Sequence, residues 1–155
     1  MNAADGDGIC PICLGPCGSG GAHPACCREL YGTAVEPSLG IALDEIEKRA
    51  VEVVNRSLAV TGVQRKLSLS LLEEEGRPHR LTVMGALGGT HILKPPAAEY
   101  PGMVELEHWT MRLARAAGLR AAACGLLPLS SGENAYVTRR FDREGARRIH
   151  VEDFC

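Results

Sequence analysis

Between Leu67 and Leu71 the chain reads Leu-Ser-Leu-Ser-Leu. A period of two puts the three leucines on one buried face of a sheet and the serines, with Lys66, on the other side of the pattern. Leu58 to Val60 predicts a strand just before it, with Gly62 at the bend between the two. The polar run Glu73-Glu-Glu-Gly-Arg-Pro78 predicts a turn. Arg80-Leu-Thr-Val-Met84 and His91-Ile-Leu93 then predict further strands separated by Gly85, Gly88 and Gly89. Near the end, Cys124-Gly-Leu-Leu-Pro-Leu129 and Ala135-Tyr-Val-Thr-Arg-Arg-Phe141 form two more strand-like runs around the turn Ser130-Ser-Gly-Glu-Asn134.

Two segments carry the helical period instead. From Ile41 to Val54, Ile46, Ala50, Val53 and Val54 recur at helical spacing among Asp44, Glu45, Glu47, Lys48 and Glu52. From Met103 to Ala117, Leu106, Trp109, Leu113 and Ala116 fall on one side, after Pro101 and ahead of Gly118. That stripe predicts a helix lying on the sheet through its apolar residues, with Trp109 and Phe154 in the core. Residues 1–34 are rich in Gly, Pro and Cys and show neither period. The reading is an α+β fold, an antiparallel sheet with packed helices, preceded by a small knuckle at 1–34, the rest running from 35 to 155.

A chain of 155 residues buries about two thirds of its unfolded surface, enough for a real core. Its 17 basic and 19 acidic residues form no long run of one sign, so neither nucleic acid nor an anionic membrane is an expected partner. The start, Met1-Asn-Ala-Ala-Asp-Gly-Asp-Gly8, has no secretory pattern, and no apolar run approaches the roughly 18 residues of a membrane span. A soluble, cytoplasmic protein is expected.

Five of the seven cysteines crowd the first thirty residues. In a reducing compartment that clustering favours a metal over disulfides. Cys10-Pro-Ile-Cys13 and His23-Pro-Ala-Cys26 are two chelating pairs of the sort a tetrahedral Zn²⁺ site needs. Cys10, Cys13, His23 and Cys26 are therefore the expected ligands, with Cys17 and Cys27 as competing thiolates.

A second chemistry centres on Thr61-Gly-Val-Gln-Arg-Lys66 and Thr90-His-Ile-Leu-Lys-Pro95. Phosphates require backbone N–H groups that approach closely, which Gly62 permits, and a compact positive charge, which Lys94 supplies. A carboxylate from a packed helix can pin such a lysine. Glu107 is the best partner and Glu105 the second, which makes ATP the first ligand to consider. His91, His108, His150 and Cys124 read as packing or hydrogen-bonding residues, and Phe141 alone as core of its strand.

Val60-Thr-Gly-Val-Gln64, Lys66-Leu-Ser-Leu69, Gly89-Thr-His-Ile-Leu-Lys-Pro95, Glu107-His-Trp-Thr-Met-Arg-Leu-Ala114, Arg140-Phe-Asp-Arg143 and Ile149-His-Val-Glu-Asp-Phe-Cys155, in that order, resemble the HipA-like toxin kinases over about residues 40–155. The resemblance implies a two-lobed kinase-like fold, ATP-dependent phosphorylation of serine or threonine, aminoacyl-tRNA synthetases as substrates and an antitoxin partner. It makes Thr61, Gly62, Val63 and Gln64, with Lys66 behind them, the phosphate-covering loop, and Lys94 the lysine on the α- and β-phosphates. Arg139, Arg140, Phe141 and Asp142 become the hinge beside the adenine, and Ser57 a site of autophosphorylation that would place negative charge beside the ATP site.

Arg65 stands where the family usually has Pro, and Ala59 where a second serine is often found. The Cys/His start leading into Leu30-Tyr-Gly-Thr33 is similar to some HipA-like kinases without the usual N-terminal subdomain. The resemblance places the family's catalytic aspartate and Mg²⁺ ligands in a C-terminal lobe beyond Cys155. It thus implies an N-lobe that binds ATP and is inactive alone. The alternative is a non-catalytic module, truncated or working with a separately encoded C-lobe; a zinc-dependent DNA-binding protein is a weaker reading.

Overall fold

The structure, a computed structural model, describes residues 8–18, 21–46, 48, 66–72, 79–84, 89–144 and 147–152. Outside them lie the positions of the strand expected at 58–60, Gly62 with the rest of 61–65, the turn expected at 73–78, Gly85 and Gly88, the part of the expected 41–54 helix from 49 to 54, and Phe154.

Two short strands, β1 (Gly8–Ile9) and β2 (Pro16–Cys17), pair antiparallel ahead of helix α1 (Pro24–Tyr31). Five strands then form one sheet: β3 (Leu67–Leu72), β4 (Arg80–Met84), β5 (His91–Lys94), β6 (Cys124–Pro128) and β7 (Asn134–Arg139). Helix α2 (Met103–Ala116) lies in sequence between β5 and β6, and a small hairpin of β8 (Arg143–Glu144) and β9 (Arg147–Arg148) follows. The sheet order is β4-β3-β5-β7-β6 and every pairing is antiparallel.

Register follows from the leucine alternation. Leu67 sits opposite Leu93, Leu69 opposite His91, and Leu93 opposite Val137, so these residues share one face of the sheet. They are buried to 2% exposure or less, each large aliphatic contributing about 1.5–3 kcal/mol by its removal from water. The opposite face presents Ser68, Ile92, Lys94, Tyr136 and Thr138, which are cross-strand partners in the same way.

The helix expected over 41–54 falls only partly within the described residues. Residues 43–46 and 48 are helical, Ile46 is fully buried, and the Lys48–Asp44 pair on the outer side spans 3.2 Å in solvent. The expected inward place of Ile46 therefore holds for the described turn.

Three expectations are corrected. Residues 1–34 contain regular structure: α1 begins with Pro24 in its first turn and ends at Gly32, whose φ of 84° is left-handed. This is the pairing of Pro at a helix start with Gly just past its end, a signal independent of hydrophobic period. Secondly, α2 does not bury its apolar stripe. Leu106, Trp109 and Leu113 are 67%, 56% and 62% exposed, while Val104 and His108 are buried. The buried side is chosen by polar partners, described below, which a hydrophobic count does not register. Thirdly, Phe141 is 70% exposed, not core.

The N-terminal segment shares the main core with the sheet. Cys10, Ile12, Cys27, Leu30 and Tyr31 cluster with Leu67, Leu69, Leu81, Leu93 and Val137. The turn carrying Ile12 lies against β6, where Leu126 N–H donates to the Pro11 carbonyl at 2.9 Å. Gly125 makes this approach possible, since a Cβ there would stand 2.9 Å from Ile12 Cγ1 and 3.2 Å from the Pro11 oxygen. Gly125→Ala is therefore expected to destabilise the chain by about 1–3 kcal/mol through overpacking, read as a lower urea midpoint at unchanged slope. An unchanged midpoint would show that the turn does not rest on β6.

Candidate functional site

Lys94 ends β5, and Glu107 lies one turn into α2. The α2 face turned to the sheet carries Val104, Glu107, His108 and Met111, and Val104 and Met111 pack on Cys124 and Tyr136. That packing brings Glu107 Oε1 to 2.5 Å from Lys94 Nζ, with the two side chains 27% and 28% exposed. Lys94 Nζ also stands 5.5 Å from the centre of the Tyr136 ring, close enough for the ring face to attract the ammonium. The pair is thus held from a strand, a helix and an aromatic floor while about a quarter of each side chain faces solvent. Glu105, the second expected partner, is not paired with Lys94.

After β7 the chain turns a fixed corner. Arg140 N–H donates to the Thr90 carbonyl at 2.9 Å. Its guanidinium forks onto Asp142, Nε to Oδ1 at 2.8 Å and Nη2 to Oδ2 at 2.6 Å. The fork holds the Asp142 carboxyl below its ordinary pKa, and the carboxylate raises that of Arg140. Arg139 and Phe141, on either side, expose their side chains, so Phe141 is available at the surface beside this corner. Lys66 is exposed at the head of β3. Thr61, Gly62, Val63, Gln64 and Ser57 lie outside the described residues.

The knuckle builds a different kind of site. Cys10, Cys13, His23 and Cys26 bring one donor atom each within 4.8 Å of all the others. Cys13 Sγ is 3.3 Å and Cys26 Sγ 3.9 Å from His23 Nδ1. Around a tetrahedral zinc with its usual bond lengths, neighbouring donors stand about 3.4–3.8 Å apart, so the set fits such an ion.

The local fold prepares the donors. The turn is closed by Cys10 N–H to Gly15 O and Leu14 N–H to Cys10 O, both 2.9 Å, with Leu14 at a φ of 62°. Gly15 N–H points at Cys13 Sγ (3.4 Å) and His23 N–H at Cys10 Sγ (3.5 Å). His23 Nε2–H donates to the Pro16 carbonyl at 2.9 Å, which fixes the tautomer and leaves the Nδ1 lone pair toward the thiols.

Charge follows the same geometry. Burial pushes Cys10 up, but backbone N–H groups of Cys13, His23 and Ile12 outweigh it and bring the thiol down to about 7. Cys26 is pushed up to about 12, by burial first and then by the neighbouring thiols. A dication among the four would remove that like-charge penalty. Cys17 and Cys27 are not in the donor set; Cys27 is buried in the core and raised to about 11, chiefly by burial.

Two histidines fasten this segment to β5 and α2. His91 Nε2–H donates to the Leu30 carbonyl at 2.8 Å, and its Nδ1 accepts from Thr90 Oγ1 at 2.9 Å. His108 Nε2–H donates to the Ile12 carbonyl at 2.9 Å. Burial lowers both imidazole pKa values, favouring the neutral form. Arg139 adds a bond to the Glu29 carbonyl at 3.2 Å, and Arg115 pairs with the Glu29 carboxylate. The expectation that His91 and His108 pack or hydrogen-bond is met; the carbonyls they serve are 61 and 96 positions away in sequence and carry no motif.

The model of the HipA-like C-terminal domain matches residues 58–155. The chain belongs to the HipA-like kinase family. Its relatives include "Putative kinase Y4mE" of Sinorhizobium fredii, 43% identical over 63% of this chain and 23% of that protein. "Putative kinase Y4dM" of the same organism is 32% identical over 83% of this chain and 35% of its own length. A "Putative kinase" of Haemophilus influenzae is 34% identical over 63% and 28%. The HipA-like chain thus spans about a quarter to a third of these curated relatives. Among its described residues no helix is long and apolar enough to cross a membrane.

Purified under reducing conditions with zinc, the HipA-like chain is expected to carry one metal ion, measured by elemental analysis. Cys13→Ser should lower the content well below one, and Cys17→Ser should leave it at one. Loss of metal in both variants to the same extent would contradict the four-donor set.

Proposed function

We propose that this chain is the phosphate-gripping N-lobe of a HipA-like serine/threonine kinase, with a structural zinc in its knuckle. The observation that carries the reading is the Lys94–Glu107 ion pair between a central strand and the helix that follows it. Protein kinases hold the lysine of their α- and β-phosphates by a helix glutamate in this manner. A lysine has three N–H donors, so one fixed at a carboxylate keeps others for phosphate oxygens, and Ser68 and Thr138 lie on the same face of the sheet. Family membership and relatives named as kinases support the same assignment.

In this reading Lys94 contacts the α- and β-phosphates of ATP, and Thr61, Gly62, Val63 and Gln64 cover them with backbone N–H groups, Lys66 standing nearby. The corner Arg139–Asp142 borders the adenine, its shape held by the Arg140–Asp142 fork. Bound Mg²⁺ would neutralise charge on the phosphates during transfer; the residues named here bind and orient, and none of them is assigned the base. Transfer to serine or threonine, a toxin–antitoxin setting, an aminoacyl-tRNA synthetase substrate and autophosphorylation of Ser57 are proposals for the whole protein.

One observation favours the alternative of a module that works through a partner such as a separately encoded C-lobe or an antitoxin. Leu106, Trp109 and Leu113 form an exposed apolar stripe on α2, the kind of surface that proteins cover by association.

Mg-ATP is expected to raise the melting temperature of the 155-residue chain in proportion to its occupancy. Lys94→Ala should remove most of that rise, and Glu107→Gln should reduce it. Equal shifts in wild type and Lys94→Ala would refute the placement of Lys94 on phosphate.

A further inference from the structure

Glu107 and His108 are consecutive residues of α2 with separate attachments. Glu107 Oε1 is 2.5 Å from Lys94 Nζ, and His108 Nε2 is 2.9 Å from the Ile12 carbonyl. Ile12 lies between Cys10 and Cys13, inside the metal-binding turn. His108 is fully buried, and its Nδ1 has no partner among the described residues, so the Ile12 carbonyl is the one polar contact this side chain shows there. A buried imidazole donor that loses its acceptor is costly to leave unmatched, so α2 must sit where that carbonyl is.

A helix transmits such a constraint because its side chains turn together. Side-chain tips lie about 5–6 Å from the helix axis, so a rotation of about 20° moves them by roughly 2 Å. That displacement would open the Lys94–Glu107 pair from contact to beyond salt-bridge range. A second route runs through β6: the Pro11 carbonyl is bonded to Leu126 N–H, and Leu126 pairs with Tyr136, the ring beside Lys94 Nζ.

We propose that metal in the knuckle sets the affinity of the nucleotide site, with His108 as the positioning residue that carries the Ile12 carbonyl's location into the direction of Glu107. The inference rests on the nucleotide and zinc readings above and adds a coupling between them. With zinc bound, the Cys10–Cys13 turn is rigid and the pair is aligned. With zinc removed, the turn no longer fixes Ile12, α2 is free to rotate, and Lys94 loses its clamp. By reciprocity, nucleotide must tighten zinc by the same factor by which zinc tightens nucleotide.

The test uses the 155-residue chain, zinc-loaded or stripped with a chelator under reducing conditions. Mg-ATP affinity is expected to fall about tenfold on stripping, within the usual range of coupling between sites. Zinc affinity, measured by competition with a coloured chelator, should rise by a matching factor when Mg-ATP is added. His108→Leu should abolish both effects while still binding zinc, and His108→Gln, which keeps a side-chain N–H donor, should restore them in part.

A readout free of nucleotide is hydrogen exchange in 103–116, which should speed up when zinc is removed from wild type. It also decides the matter if His108→Leu does not fold. Equal Mg-ATP affinity with and without zinc would overturn the coupling and leave the nucleotide reading standing. Unchanged α2 exchange would overturn the coupling whatever the nucleotide does. Failure of the zinc-loaded chain to bind Mg-ATP would overturn the nucleotide reading and the coupling with it.

Discussion

The structure depends on matching donors from the sheet and α2 to backbone carbonyls of the N-terminal segment. Leu126 N–H serves Pro11, His108 serves Ile12, Arg139 serves Glu29 and His91 serves Leu30. A carbonyl buried without a donor costs free energy comparable to a lost hydrogen bond. The knuckle and α1 therefore have one favourable seat, and the apolar residues Ile12, Leu30 and Tyr31 complete the core from that seat. Glu107 and His108 are neighbours on α2, so the Cys10–Cys13 turn and the Lys94–Glu107 pair are packed on the same helix.

Much of the architecture was legible in the chain. The alternation at Leu67–Leu71 marked β3, and the runs at 80–84, 91–93, 124–129 and 135–141 marked the other four strands of the five-stranded sheet to within two residues, while the two-residue strands β1, β2, β8 and β9 are too short to show a period. The spacing of Cys10, Cys13, His23 and Cys26 named the donors that the structure brings together. Local patterns suffice for these features because chelating pairs and strand periodicity are local.

The orientation of α2 was not legible, for a physical reason. Its apolar stripe, Leu106, Trp109 and Leu113, predicted the buried face, yet the buried face is Val104, Glu107, His108 and Met111. Each polar member there answers a partner elsewhere: Lys94 for Glu107 and the Ile12 carbonyl for His108, with Glu29 answering Arg115 further along the helix. Hydrophobic spacing weighs transfer from water and takes no account of distant unsatisfied groups. Helix α1 escapes the hydrophobic pattern because that pattern is diluted by cysteines that face the Cys/His cluster and the core. The loop at Thr61–Gln64 was marked by its glycine and its likeness to the family, and it lies outside the described residues.

If these contacts govern the structure, the knuckle and the sheet with α2 form one cooperative unit. The most direct test is urea unfolding of the chain with cobalt(II) in place of zinc, followed by two probes at once. Cobalt–thiolate absorbance reports the knuckle, and the fluorescence of Trp109, the single tryptophan, reports α2. Coincident transitions are the signature of one cooperative unit, and a common midpoint is expected. Loss of the cobalt band at a clearly lower urea concentration than the change in Trp109 fluorescence would contradict it.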